Sequence, residues 1–171
     1  LSYMLDRNIV AYVSNYGIFT VFYKGELFEL DAFQPTSYKV GQEMVAYETQ
    51  DRRFKVFYKG EELEVLSILP QDYWVVENML YFIDRSGFLW VFNGEEAEQL
   101  TYYTPNRMVA DNDILVFTDL DNQLMVYFEG KLKQLSDDVV NKFKVNNHAV
   151  FYYQVISKPQ VYCNGKNYTL Y

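Results

Sequence analysis

Few residues in this chain could carry out chemistry, and their spacing narrows the choice further. The 171 residues include one cysteine, Cys163, and one histidine, His148. One thiol supports neither an internal disulfide nor a multi-cysteine zinc site, and one imidazole cannot furnish a multi-histidine metal centre. Cys163 shares its repeat position with Tyr23, Tyr58 and Phe128. A thiol packed among rings is structural rather than nucleophilic. His148 is expected to open run B of the fifth unit, one residue before the column of Met44 and Met79, and reads as a structural residue. Asp119-Leu120-Asp121-Asn122 has oxygens that could open a calcium loop, but the glycine and distal glutamate that complete one are missing. Asp and Asn are also ordinary turn formers, and Asp111 and Asp113 are expected at the opposite end of the sheet. The carboxylates of Glu61-Glu62-Glu64 and Glu95-Glu96-Glu98 flank edge strands, where solvated charge is the normal role. Asn167-Tyr168-Thr169 fits a glycosylation sequon, meaningful only in a eukaryotic secretory pathway. No catalytic residue, metal or cofactor is assigned.

Arginine is distributed more tellingly. Of five arginines, Arg52, Arg53, Arg85 and Arg107 fall in loops at one end of the second and third repeat units or at their borders. Trp74, Tyr102 and Tyr103 lie in neighbouring loop or first-strand positions. Guanidinium groups form forked hydrogen bonds to carboxylates, and aromatic rings bury large areas, so the combination suits a binding hot spot.

These residues are positioned by a repeat. Val21, Val56, Val91, Val126 and Val161 are 35 residues apart, as are Leu30, Val65, Leu100, Leu135 and Leu170. Tyr3, Tyr38, Tyr73, Met108 and Phe143 form a third column in phase with them. Self-similarity at such a period is the signature of repeat architectures. Each unit holds four short apolar runs, A to D, rich in β-branched and aromatic residues and bounded by turn formers, as strands are. Run B, as in Ile114-Leu115-Val116-Phe117, is apolar throughout and predicts burial on both faces. Run D alternates, as in Leu132-Lys133-Gln134-Leu135, and predicts a half-exposed outer strand. Glycine lies in every C–D turn, at Gly25, Gly60, Gly94, Gly130 and Gly165. Asn93-Gly94 and Asn164-Gly165 predict two-residue type I′ hairpins, which need positive φ at both central residues.

The A–B–C–D run order and the Asn-Gly or Lys-Gly turn before strand D resemble the β-propeller superfamily in its short-blade, WD40-like and quinoprotein-like forms. The resemblance covers the whole chain. The WD40 Gly-His and Trp-Asp signatures and the quinoprotein Trp motif are absent, so no specific family follows. It implies an all-β, five-bladed propeller forming a single domain over residues 1–171, with blades at 1–32, 33–67, 68–102, 103–137 and 138–171. It also implies that the B–C and D–A loops share one rim. The first run is a strand A and the last a strand D. Either packing alone closes a five-blade ring, the leading expectation, or the chain is a segment of a larger array.

The totals set outer limits. Half the residues are apolar and 19% aromatic, too many for a disordered chain. A net charge of −8 argues against general nucleic-acid binding. No 18-residue apolar run is present and no signal peptide is visible, although the chain begins at Leu1 rather than Met. The B–C loops differ from blade to blade, which disfavours five identical sugar sites. The leading expectation is a non-enzymatic binding module presenting the rim at Arg52, Arg53, Arg85, Arg107, Tyr102, Tyr103 and Trp74 to a protein or other anionic partner. A lectin-like propeller with one asymmetric glycan site comes second, and a hydrolase third.

Overall fold

The computed structural model describes residues 3–155 and 157–171. It contains twenty strands in five four-stranded antiparallel meanders, each ordered A-B-C-D across its sheet. Blade 1 is β1 to β4 (Tyr3–Asp6, Ile9–Val13, Phe19–Tyr23, Glu26–Asp31) and blade 2 is β5 to β8 (Ser37–Val40, Met44–Glu48, Phe54–Tyr58, Glu61–Leu66). Blade 3 is β9 to β12 (Asp72–Val76, Met79–Ile83, Leu89–Phe92, Ala97–Gln99). Blade 4 is β13 to β16 (Met108–Asp111, Ile114–Thr118, Leu124–Phe128, Lys131–Gln134), and blade 5 is β17 to β20 (Val140–Asn146, Ala149–Gln154, Gln160–Cys163, Lys166–Thr169). The all-β, five-bladed propeller reading holds. The chain divides into two compact units, Leu1–Tyr102 with blades 1 to 3 and Tyr103–Tyr171 with blades 4 and 5. Among the described residues no helix is long and apolar enough to cross a membrane.

Burial follows the run patterns. Strand B of blade 4 is buried at every position, and the D strands of blades 4 and 5 are exposed along their length. Within each unit the blades pack face against face. In the first, Phe19 and Val21 of blade 1 meet Tyr38, Val45, Tyr47 and Phe57 of blade 2, with Phe19 5.1 Å from the Tyr47 ring. Phe54 and Val56, on the other face of blade 2, meet Tyr73, Leu80 and Phe82 of blade 3. In the second, Val116 and Val126 of blade 4 meet Val150, Tyr152 and Tyr162 of blade 5. We call the face packed on the preceding blade the front and the other face the back. Burial pushes the phenols of Tyr47 and Tyr73 upward from their ordinary range.

Four of the C–D turns are two-residue hairpins with positive φ at both centres: Lys24-Gly25, Lys59-Gly60, Glu129-Gly130 and Asn164-Gly165. Asn93-Gly94 is not one, contrary to the sequence expectation. Gly94 follows Gly60 by 34 residues instead of 35, so strand C ends at Phe92 and the connection lengthens to Asn93–Glu96. Asn93 keeps a negative φ and its Oδ1 accepts from the amides of Glu95 and Glu96. A Cβ at Gly94 would stand 2.2 Å from the Tyr58 ring, a close approach that only glycine allows.

At the end carrying the A–B turns, adjacent blades are tied by polar contacts. Glu43 of blade 2 accepts from the Tyr23 hydroxyl at 3.0 Å and the Lys24 ammonium at 3.1 Å, both of blade 1. Gly41 lies so close to blade 3 that a Cβ would meet the Glu77 carbonyl at 2.1 Å. His148 stands in the A–B turn at the entrance to β18, its Nε2 2.7 Å from Asp113 of blade 4. Cys163 is half-buried and free.

The Lys24 hydrogen bond holds the Glu43 carboxyl below its ordinary range, opposed by burial and assisted by the Tyr23 hydroxyl. A carboxyl depressed in the fold adds stability above its unfolded pKa of about 4.3, and that stability is lost as pH falls through the lower folded value. Glu43→Gln should therefore lower stability at neutral pH, and the gap to the parent should close as the solution is acidified through and below the ordinary glutamate range. Denaturant unfolding across a pH series measures it; a pH-independent gap would show that the pair contributes nothing electrostatic.

Candidate functional site

The B–C loops share one construction in blades 1 to 4. A short polar residue follows strand B, and its side-chain oxygen accepts from the backbone amide four residues on. The pairs are Ser14 with Ile18 (3.2 Å), Thr49 with Arg53 (2.9 Å), Asp84 with Phe88 (3.0 Å) and Asp119 with Gln123 (2.8 Å). Side-chain to backbone bonds of this kind replace ladder bonds lost at a turn. Asp119, the first oxygen of the candidate calcium loop, is engaged in this way and also accepts from the Asp121 amide. Among the described residues no group of three or more His, Cys, Asp or Glu is placed to hold a metal ion.

The fourth residue of each loop has positive φ. Gly17 (82°), Gly87 (83°) and Asn122 (61°) serve in blades 1, 3 and 4, and Arg52 (69°) in blade 2. Glycine and asparagine accept the left-handed region cheaply; a side chain such as arginine does so at a cost of about 1–2 kcal/mol. The Arg52 guanidinium has no hydrogen-bond or ion-pair partner among the described residues. Its backbone is set by the amide of Arg52 donating to the Thr49 carbonyl at 3.1 Å.

A cleft of about 550 Å³ opens between the D–A connection of blade 1 and the B–C loop of blade 2. Its floor and walls include Asp31, Phe33, Gln50, Asp51, Arg53 and Lys55. Phe33 is 63% exposed although it is fully apolar. Arg53 bridges Asp51 at 3.0 Å and Glu64 at 3.1 Å, while Lys55 pairs with Glu62 at 2.6 Å. The Thr49 hydroxyl, with further help from Arg53, holds the Asp51 carboxyl below its ordinary range. Gln50 donates to the Gln34 carbonyl at 3.1 Å and fixes the two loops to each other. The cleft thus offers one exposed apolar ring and two cations, Arg53 and Lys55, each already paired with acids; Arg52 stands between the lining residues Asp51 and Arg53 in sequence.

The other sequence candidates are placed differently. Arg85 donates from Nε to the Leu69 carbonyl at 2.9 Å and pins its own blade's loops. Arg107 donates to the Asn141 carbonyl at 2.9 Å and to the Val140 carbonyl, and its guanidinium lies 5.3 Å from the Phe143 ring centre. Both arginines thus bind backbone oxygens. Trp74 is half-buried in β9, with the Lys39 ammonium 5.8 Å from its ring centre. Tyr102 is exposed and meets Phe88 edge-on at 5.6 Å, whereas Tyr103 is half-buried and its phenol is raised by burial. Phe33, Lys55 and Asp31 were not foreseen. One signal was present: Phe33 and Ile68 put a large apolar residue at the same loop position 35 residues apart, and both are exposed.

The 10-bladed beta propeller domain family model matches residues 1–168. No curated protein matches the chain. Among solved structures, the CRINKLY WD40 ectodomain of the Arabidopsis thaliana receptor kinase ACR4 superposes with a TM-score of 0.52 at 10% identity, over 100% of this chain and 66% of that one. Human WBSCR16 gives 0.50 at 6% identity, over 92% and 60%. The computationally designed Ika8 protein gives 0.47 at 15% identity, over 96% and 59%. This chain therefore spans about three fifths of the length of the structures first matched, and likeness at such identity shows the fold alone.

Replacing Arg52 by glycine should relieve the left-handed residue and stabilise the protein by about 0.5–1 kcal/mol, the strain relieved less the extra chain entropy of glycine. Thermal or denaturant unfolding measures this. A loss of stability would show that the Arg52 side chain holds the loop.

Proposed function

The chain belongs to the 10-bladed beta propeller domain family, and we propose that it is a non-catalytic binding scaffold whose B–C and D–A loop end takes a partner protein at the blade 1–blade 2 cleft. The observation that carries this reading is Arg52, an arginine in a left-handed turn position filled in three other blades by glycine or asparagine. Unfavourable backbone conformations persist where the surroundings impose them, and they cluster at functional positions. Here the surroundings are the Thr49-capped turn, which carries Arg52 between two residues of the cleft lining, Asp51 and Arg53. The partner chemistry follows from the lining: a carboxylate for Arg52, and an apolar side chain to cover Phe33 and enter the cleft. Arg53 and Lys55 are already paired with acids, so they shape the cleft and neutralise its wall. Arg85 and Arg107 hold loops of their own units in place.

Capture from source lysate with the native chain, Arg52→Gly and Phe33→Ser tests the reading. Both variants should stay folded and lose most of the captured protein. The interaction should weaken as salt is raised, since an exposed charge pair is screened over about 8–10 Å at physiological ionic strength. Equal capture by all three proteins would overturn the assignment, and salt-independent capture of a glycoconjugate would favour a sugar site instead.

A further inference from the structure

Two consecutive D–A connections hold a large apolar side chain out in water at the same repeat position. Phe33 leads from blade 1 into blade 2, and Ile68, 35 residues on, leads from blade 2 into blade 3 and is 52% exposed. The next residues in that column are Tyr103, half-buried, and the charged Asp138. Neither exposed apolar residue sits on a loose loop. The Phe33 amide donates to the Asp31 carboxylate at 3.0 Å, and the carbonyl of Gln34 beside it accepts from Gln50. The carbonyl of Leu69, beside Ile68, accepts from Arg85 Nε at 2.9 Å. A side chain fixed before binding spares the cost of ordering it during binding.

The B–C loop of blade 2, which carries Arg52, lies between the two. Gln50 ties that loop to the first connection, and β8, whose Leu66 pairs with Phe54, delivers Ile68 to the same end of the blade. The order along this end of the unit Leu1–Tyr102 is therefore Phe33, Arg52, Ile68. Packed sheets lie about 10 Å apart, so side chains on neighbouring blades are separated by roughly that or a little more. An extended chain advances about 3.3 Å per residue and turns alternate side chains to one face. Its residues four apart therefore span about 13 Å, with the residue midway facing the same way. We infer that the partner docks an extended segment bearing two apolar side chains four residues apart, one over Phe33 and one over Ile68, with a carboxylate midway for Arg52. This rests on the blade 1–blade 2 site proposed above and adds a second contact to it.

Panning a phage-displayed library of random dodecapeptides on the purified chain tests the inference. Enriched sequences should share an acidic residue with an apolar residue two positions to each side. A synthetic peptide of the commonest sequence should bind Ile68→Ser about tenfold more weakly than the native chain, near what covering an exposed isoleucine side chain contributes. Arg52→Gly and Phe33→Ser should weaken it too. Serine in place of the peptide's apolar residue that covers Ile68 should cost the native chain the same factor and Ile68→Ser nothing further, which a folding defect could not mimic. Peptides that need Arg52 and Phe33 but ignore Ile68 overturn the inference and leave the proposed site standing. Peptides indifferent to all three substitutions overturn both. No enrichment, or apolar residues at another spacing, overturns the inference alone.

Discussion

Front-to-back packing of apolar sheets is the constraint on which everything else here depends. A four-stranded meander with two apolar faces cannot stay in water alone, and each fully buried large side chain contributes roughly 1.5–3 kcal/mol once covered. Tyr47, Phe57 and Phe82 of the fronts and Phe19, Phe54 and Val56 of the backs are all essentially solvent-free. Within each unit the 35-residue period keeps neighbouring blades in register, so a back meets the front it fits. Stability in such arrays is close to a sum of intrinsic and nearest-neighbour terms. That additivity leaves the loops beyond the strand ends free to differ without disturbing the core.

The loops are nevertheless firmly built. Their short polar caps, Ser14, Thr49, Asp84 and Asp119, close each B–C turn on the backbone and fix where its tip points. Three of the turns accept their left-handed residue without strain. The fourth carries Arg52, and the scaffold rather than the arginine sets that conformation. A rigid framework with a variable tip is the usual division of labour between core and binding loop. The acids beside the cleft are held as firmly: Asp51, Glu62 and Glu64 are each paired with a neighbouring cation.

The repeat, strand order, and inner and outer strands were all legible, because period-35 columns and period-2 alternation record which faces are covered. Turn chemistry was legible where the register held. It failed at Asn93-Gly94, where a one-residue offset visible in the glycine spacing moved the end of strand C away from the motif. The arginine cluster was legible as composition but not as chemistry. Whether a guanidinium meets a carboxylate or a carbonyl depends on which loop of the same blade or the next comes within 3 Å of it, as the Leu69 and Asn141 oxygens do for Arg85 and Arg107. The left-handed position of Arg52 could have been read from its alignment with Gly17, Gly87 and Asn122. The cleft between blades 1 and 2 could not, because it exists only once they are packed.

Hydrogen exchange at the B–C turns tests most directly whether the scaffold imposes the turn that Arg52 occupies. The amides of Arg53, Phe88 and Gln123, each bound to a side-chain oxygen, should exchange as slowly as amides within the strands. Protection at Phe88 and Gln123 with rapid exchange at Arg53 would contradict this account, for the blade 2 turn would then be loose and the left-handed arginine not enforced.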